Sequence, residues 1–262
     1  MGAPLKVLVT GVYGLIAGVV YARLAADPRY EAYGLARRRH PSARAPGERQ
    51  LQVPEDRFFL ADVTDAAALG AAMHGMDAVV HMAADPNHDG PWESILANNV
   101  VGARNAFDAA RQEGVRRVVY ASSIMVSWGY QQDEPYHSIA LRRFDQVEEA
   151  RLRRVTHEWP PRPTDYYSAS KVWGEALGRF YAEVHGLSVI CLRIGWVNAP
   201  DTPRASMGMA PIWCSQRDVV QLVERALWAP QDVRFDVFYA VSDNRLCWVD
   251  IAHARQVLGY AP

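Results

Sequence analysis

Short apolar runs alternate along the chain with longer segments whose apolar residues recur every three or four positions, as when buried parallel strands alternate with amphipathic helices. The runs predict strands at Lys6–Thr10, Glu31–Leu35, Arg57–Leu60, Ala78–His81, Arg117–Ala121, Ser188–Arg193 and Val237–Ala240. The longer periods predict helices near Leu15–Ala26, Ala66–Met73, Trp92–Glu113, Tyr167–His185 and Gln216–Trp228. This is an α/β pattern, a doubly wound parallel sheet, and right-handed crossovers place every strand C-terminus on one edge, where ligands bind. Two segments break the alternation. Residues 129–163 hold Pro135, Pro160, Pro161 and Pro163 with a helix-like series at Leu141, Phe144, Val147, Leu152 and Val155, while Asn198–Pro211 is rich in Pro, Gly and Met without a period. The expectation is a single domain over 1–262. Residues 1–193 supply most of the core, with an insertion at about 129–163 that serves as a substrate loop or a subunit contact; 194–262 supply a small substrate-side region.

Composition narrows the function. With 262 residues, half of them apolar, the chain can bury one large α/β core. A net charge of −1 speaks against a nucleic-acid-binding surface or a polybasic membrane patch. The start, Met1-Gly2-Ala3-Pro4-Leu5-Lys6, leads into the first strand without the charged and apolar regions of a secretion signal, and no apolar run is long enough for a membrane span, so a cytoplasmic location is expected. Cys191, Cys214 and Cys247 are far apart and odd in number, which predicts buried thiols in a reducing compartment. His88, His137 and His157 lie in loops with no second ligand at metal spacing, and no metal is assigned. Trp173, Trp213, Trp228 and Trp248 are expected in the core; Trp128 and Trp196 follow strands at the ligand edge and either line a pocket or pack.

The first strand runs into Gly11-Val12-Tyr13-Gly14-Leu15-Ile16-Ala17. In this spacing Gly11 makes the tight turn, Gly14 lets the backbone approach a pyrophosphate and Ala17 allows close helix–strand contact. Asp62, after the third strand, can accept a hydrogen bond from an adenine amino group or cap the helix that follows. The second strand ends in Ala36-Arg37-Arg38-Arg39 with no acid to bond a ribose 2′-hydroxyl; guanidinium groups suit a 2′-phosphate, so NADP is expected, with NAD possible.

Tyr167 and Lys171 stand four residues apart and share a helix face. A neighbouring ammonium favours the phenolate, so Tyr167 can exchange a proton near neutral pH. Ser123, at the end of the fifth strand, is the candidate to orient a substrate oxygen, with Ser122 as its neighbour or fallback.

Together, Gly11-x-x-Gly14-x-x-Ala17, Asp62-Val63, His81-Met82-Ala83-Ala84, Asn99-x-x-Gly102, Ser122-Ser123, Tyr167-x-x-x-Lys171 and Arg193-Ile194-Gly195 resemble the extended short-chain dehydrogenase/reductases of the NAD-dependent epimerase/dehydratase superfamily, over essentially the whole chain. Ser215-Gln216-Arg217-Asp218, Ser242-Asp243-Asn244, Trp248 and Leu258-Gly259-Tyr260 look most like the uronate dehydrogenases, which oxidise a hexuronic acid at its anomeric carbon with NAD. The resemblance implies a Rossmann-type sheet and a homodimer built from a pair of helices in each subunit. It implies coenzyme contacts from Gly11, Tyr13, Gly14, Leu15, Ile16, Ala36, Arg37, Arg38, Asp62, Val63, Met82, Ala83, Ala84, Asn99, Tyr167, Lys171 and Ile194, and catalysis by Ser123, Tyr167 and Lys171. Substrate contacts are expected from Asp85, Ser123, Ile124, Trp196 and Arg204. Ile124 and Trp196 replace an asparagine and a serine of the uronate enzymes, and the segment between Ser123 and Tyr167 is longer.

The function expected is hydride transfer between a nicotinamide and a sugar, sugar acid or related small carbonyl compound. One alternative is a sugar or nucleotide-sugar epimerase with tightly held NAD, disfavoured by the roughly seventy residues that follow Arg193. Another is a non-catalytic NADP sensor, disfavoured by the intact Tyr167–Lys171 pair. A dehydratase would need carboxylates where Ile124 and Met125 stand.

Overall fold

Among the described residues, seven strands form one parallel sheet in the order β3-β2-β1-β4-β5-β6-β7: β1 (Leu5–Thr10), β2 (Tyr30–Ala36), β3 (Phe58–Leu60), β4 (Ala78–His81), β5 (Arg117–Ser123), β6 (Ser188–Ile194) and β7 (Phe235–Ala240). The computed structural model describes residues 2–42, 45, 51–205 and 208–262. The middle strands are buried on both faces, which is why Val7-Leu8-Val9 and Ala78-Val79-Val80 read as unbroken apolar runs. Chain order reverses between β1 and β4, and the crevice at such a switch point is where open α/β sheets hold their ligands.

Helices α1 (Leu15–Ala25), α7 (Gln216–Leu227) and α8 (Ala252–Leu258) cover one face; α2 (Ala66–Met73), α4 (Gly102–Gln112) and α6 (Tyr166–His185) cover the other. Helix α6 starts from a capping box in which the Asp165 carboxylate accepts from the Ser168 amide and the Ser168 hydroxyl oxygen accepts from the Asp165 amide, and it ends at Gly186 in the left-handed region. That cap fixes where Tyr167 and Lys171 begin.

Three expectations change. The helix predicted over Trp92–Glu113 is α3 (Trp92–Ile95), a π-helical turn at Leu96–Val101, and then α4. Apolar periodicity does not register the extra residue of a π turn. The helix-like series in the insertion is not a helix. After α5 (Tyr136–Ala140), only short 3₁₀ turns at Phe144–Gln146 and Glu149–Arg151 intervene. Val155 then runs extended beside Val249, its amide donating to the Trp248 carbonyl at 2.8 Å. Buried Leu152 and Val155 join Trp248 and Val249 in a third apolar cluster beneath the insertion, so the periodicity records that contact. Third, the C-terminal region is only partly substrate-side, because α7, β7 and α8 complete the sheet and its cover.

Among the tryptophans, Trp248 is core, but Trp173 and Trp228 are exposed, the latter donating from Nε1 to the Tyr30 hydroxyl at 2.7 Å. Trp128 packs against Trp248. No helix of the described residues is long and apolar enough to cross a membrane.

Candidate active site

A cleft of about 490 Å³ opens along the strand C-termini at the switch point. Its first wall is the turn after β1. Gly11 takes φ +70°, and a Cβ there would stand 3.0 Å from the Ala83 Cα, so a side chain would be strained in conformation and crowded. Gly14 is the N-cap of α1; it has no side chain to satisfy the first amides of the helix, and the first turn carries no acid. An uncapped helix start facing a cleft is suited to a pyrophosphate.

Thr10, which the pattern treated as an ordinary strand residue, ties this turn to the next. Its hydroxyl oxygen accepts from the amides of Met82 and Ala83 at 3.1 Å each, and the hydroxyl lies 3.0 Å from Nδ1 of His81. With both amides donating to it, the Thr10 proton goes to Nδ1, which sets His81 as neutral with its proton on Nε2. Burial, reinforced by the nearby Lys171 ammonium, holds the His81 pKa down to about 3. His81 is a packed neutral ring stacked beside Tyr120.

At one end of the cleft, Asp62 accepts from the Thr64 amide and hydroxyl through Oδ1, and its Oδ2 lies 4.0 Å from Arg37. The cap of α2 is Asp65, which leaves Asp62 to the cleft. Arg37 and Arg38 line the cleft, whereas Arg39 pairs with Glu55 at 2.6 Å and lies over the Phe58 ring. Tyr13, Leu15, Ile16, Ala36, Val63 and Ile194 also line it, with Met82, Ala83 and Ala84.

At the other end, both serines of β5 border the cleft but differ in their partners. Ser122 donates to Glu175 at 2.6 Å within a buried network in which Arg193 bonds both Glu175 oxygens at 2.9 and 2.8 Å and the Tyr239 hydroxyl at 3.0 Å. Ser123 faces the cleft and caps the following turn, its oxygen accepting from the Met125 amide at 3.2 Å. Tyr167 lines the same wall. Lys171 is buried, its Nζ donating to the Ala121 carbonyl at 2.8 Å and lying 5.7 Å from the Tyr167 ring centroid. Desolvation lowers the ammonium to about 8, which leaves it charged at neutral pH beside the phenol. Close approach of α6 to β5 makes this possible: a Cβ on Gly174 would fall 2.1 Å from the Tyr120 hydroxyl oxygen.

Two expected residues lie elsewhere. Asn99 is buried behind the cleft, where its side chain bonds the Asp85 amide (2.7 Å) and carbonyl (3.0 Å) and Ser170 of α6 (3.0 Å). It positions the loop after β4, and the π turn gives the cleft Asn98 instead. Arg204 sits in an exposed 3₁₀ turn and is not among the residues that line the cleft. Asp85, Ile124 and Trp196 do line the cleft, joined by Met209 from the segment whose irregular text gave no signal and by Ile212 just after it. Both Asp85 oxygens are engaged, by the Asn87 amide and the Ser94 hydroxyl.

Known proteins resemble this chain in sequence and in fold. The NAD dependent epimerase/dehydratase family model matches residues 7–257. The NAD-dependent glucose-6-phosphate dehydrogenase of Haloferax volcanii is 36% identical over 80% of this chain and 77% of its own length. The L-arabinose 1-dehydrogenase (NAD(P)(+)) of the same organism is 35% identical over 77% of this chain and 80% of its own. The crystal structure of uronate dehydrogenase from Agrobacterium tumefaciens superposes with a TM-score of 0.77 at 29% identity, covering 100% of this chain and 85% of that one. The chain thus belongs to the NAD-dependent epimerase/dehydratase family of Rossmann-type enzymes.

Proposed function

We propose that this protein is a sugar dehydrogenase that prefers NADP. The observation that carries the reading is the wall formed by Ser123, Tyr167 and Lys171 at one end of a cleft whose other end holds the glycine turn, Asp62 and Arg37. When bound, the coenzyme would accept or return a hydride at its nicotinamide. Gly11, Gly14 and the start of α1 would hold its pyrophosphate, and Asp62 its adenine. Tyr167 takes the proton of the substrate hydroxyl, or gives it back to the carbonyl oxygen. Lys171 supplies the positive charge that favours the phenolate, and Ser123 donates to the substrate oxygen and fixes its direction. The substrate end of the cleft is walled by Ile124, Trp196, Met209 and Ile212, and the only arginines lining the cleft among the described residues, Arg37 and Arg38, are at the adenosine end. This favours an uncharged sugar over a hexuronate.

The coenzyme preference rests on Arg37 and Arg38, with no carboxylate at the end of β2. A homodimer in the cytoplasm completes the reading. Its support is the exposed Trp173, Phe180 and Val184 along α6, together with three unpaired, buried cysteines. The experiment is a steady-state panel of aldoses, sugar phosphates and hexuronates with each coenzyme, followed by coenzyme titration. Reduction of NADP with a neutral aldose, several-fold tighter NADP binding, and a narrower gap in Arg37→Ala are expected. No turnover of any panel member overturns the dehydrogenase reading; equal or inverted coenzyme affinities overturn the NADP preference.

A further inference from the structure

At the end of the sheet away from the cleft, three side chains with metal-ligating atoms meet. His157 comes from the insertion just after its pairing with Val249, Asp236 is the second residue of β7, and His253 lies on α8. His253 Nε2 is 2.9 Å from each Asp236 oxygen. Its ring is clamped between His157 (centroids 3.9 Å, planes 12° apart) and the buried Phe238 (4.8 Å, 14°). One ligand atom from each of the three residues lies within 4.8 Å of the others.

We propose that His157, Asp236 and His253 form a binding site for a zinc-class divalent cation, with water completing the coordination. Two imidazoles and one carboxylate are the donor set that zinc, nickel and copper select over magnesium or calcium. Two ligand atoms on a tetrahedral zinc stand about 3.3 Å apart, so the 2.9 Å contact between His253 and Asp236 has to open only slightly to admit the ion. His157 has to close by rotation of its ring. The cation takes the place of the hydrogen bonds between His253 and Asp236. Burial and the neighbouring His253 lower the His157 pKa. Of the other charges around His157, Glu158 is favourable, and the opposing Arg193 is matched by Glu175. Asp236 and His253 keep 20% and 24% of their side chains exposed, and the surface depression bordered by His157, Glu158 and Asp236 gives the ion a way in.

The site is separate from the chemistry. Asp236 pairs with Ile190, and the cleft residue Ile194 lies four positions further along β6, about 13 Å at strand rise. Its occupant would fasten the insertion and α8 to the edge strand. Linear spacing hid it, because its members are brought together only by the fold.

The test uses the untagged, chelator-treated full chain titrated calorimetrically with zinc chloride, alongside melting curves with zinc or magnesium. One equivalent of zinc should bind with micromolar or tighter affinity and raise the melting temperature, while magnesium does neither. His157→Gln and His253→Gln should each weaken binding at least roughly tenfold, and His137→Gln should not. Retained coenzyme affinity shows that the variants fold; the near-isosteric Asp236→Asn, also expected to lose zinc, decides the matter should a histidine variant fail that check. Absence of saturable zinc binding, or binding that survives removal of both histidines, overturns the proposal.

Discussion

Replacing Glu175 by glutamine should be among the most damaging conservative changes in this protein. Glu175 and Arg193 keep only 8% and 3% of their side chains exposed, so solvent screening gives little relief. The carboxylate accepts two bonds from Arg193 and one from Ser122. A neutral amide leaves the Arg193 guanidinium as an uncompensated buried charge, which costs about 3–5 kcal/mol. For a chain of this size that corresponds to a fall in melting temperature on the order of 10 °C. Urea unfolding followed by far-ultraviolet circular dichroism measures it, with coenzyme-binding fluorescence as a second probe. The partner experiment removes both charges: Glu175→Leu with Arg193→Met should recover most of the loss, because desolvating two ions roughly offsets their attraction. A single variant within about 0.5 kcal/mol of the parent, or a double variant that merely adds a second loss, would refute the reasoning.

Lys171 carries a pH signature. Its folded pKa, lowered by burial to about 8 from 10.5, means that the unfolded chain holds more protons between those values, so stability rises with pH across that window. Below pH 8 the folded state bears the full penalty, about 3 kcal/mol; Lys171→Met should therefore be more stable than the parent at pH 7 while inactive, and the advantage should vanish near pH 10.5 in urea titrations. Gly174→Ala forces α6 away from Tyr120 and should cost about 1–3 kcal/mol despite the better helix propensity of alanine. Gly70→Ala on α2, where the nearest atom to the new methyl is 3.8 Å away, should be neutral or stabilising in the same assay.

The buried strands and the first strand–helix turn were legible because their signals are local: a two-sided core demands continuous apolar text, and the Gly11 turn takes a positive φ that favours glycine. Tyr167 and Lys171 were legible because helical spacing alone sets them on one face. What escaped depended on contacts between distant segments. The choice between Ser122 and Ser123 is made by Glu175, on another helix, and the role of Thr10 is set by amides after β4. Asn99 was expected at the coenzyme, but the π turn brings Asn98 to the cleft in its place. The insertion imitated an amphipathic helix because both a helix face and an extended segment over a small core put apolar residues at intervals, and only the pairing with Val249 distinguishes them.

The central claim is that Tyr167 moves the proton. Tyr167→Phe keeps the ring and removes only the phenolic oxygen, so NADP titration should give an affinity within a few-fold of the parent. With the best substrate of the sugar panel, kcat should fall by about 10²–10⁴. A Tyr167→Phe enzyme that binds coenzyme normally and turns over at the parental rate would contradict the account.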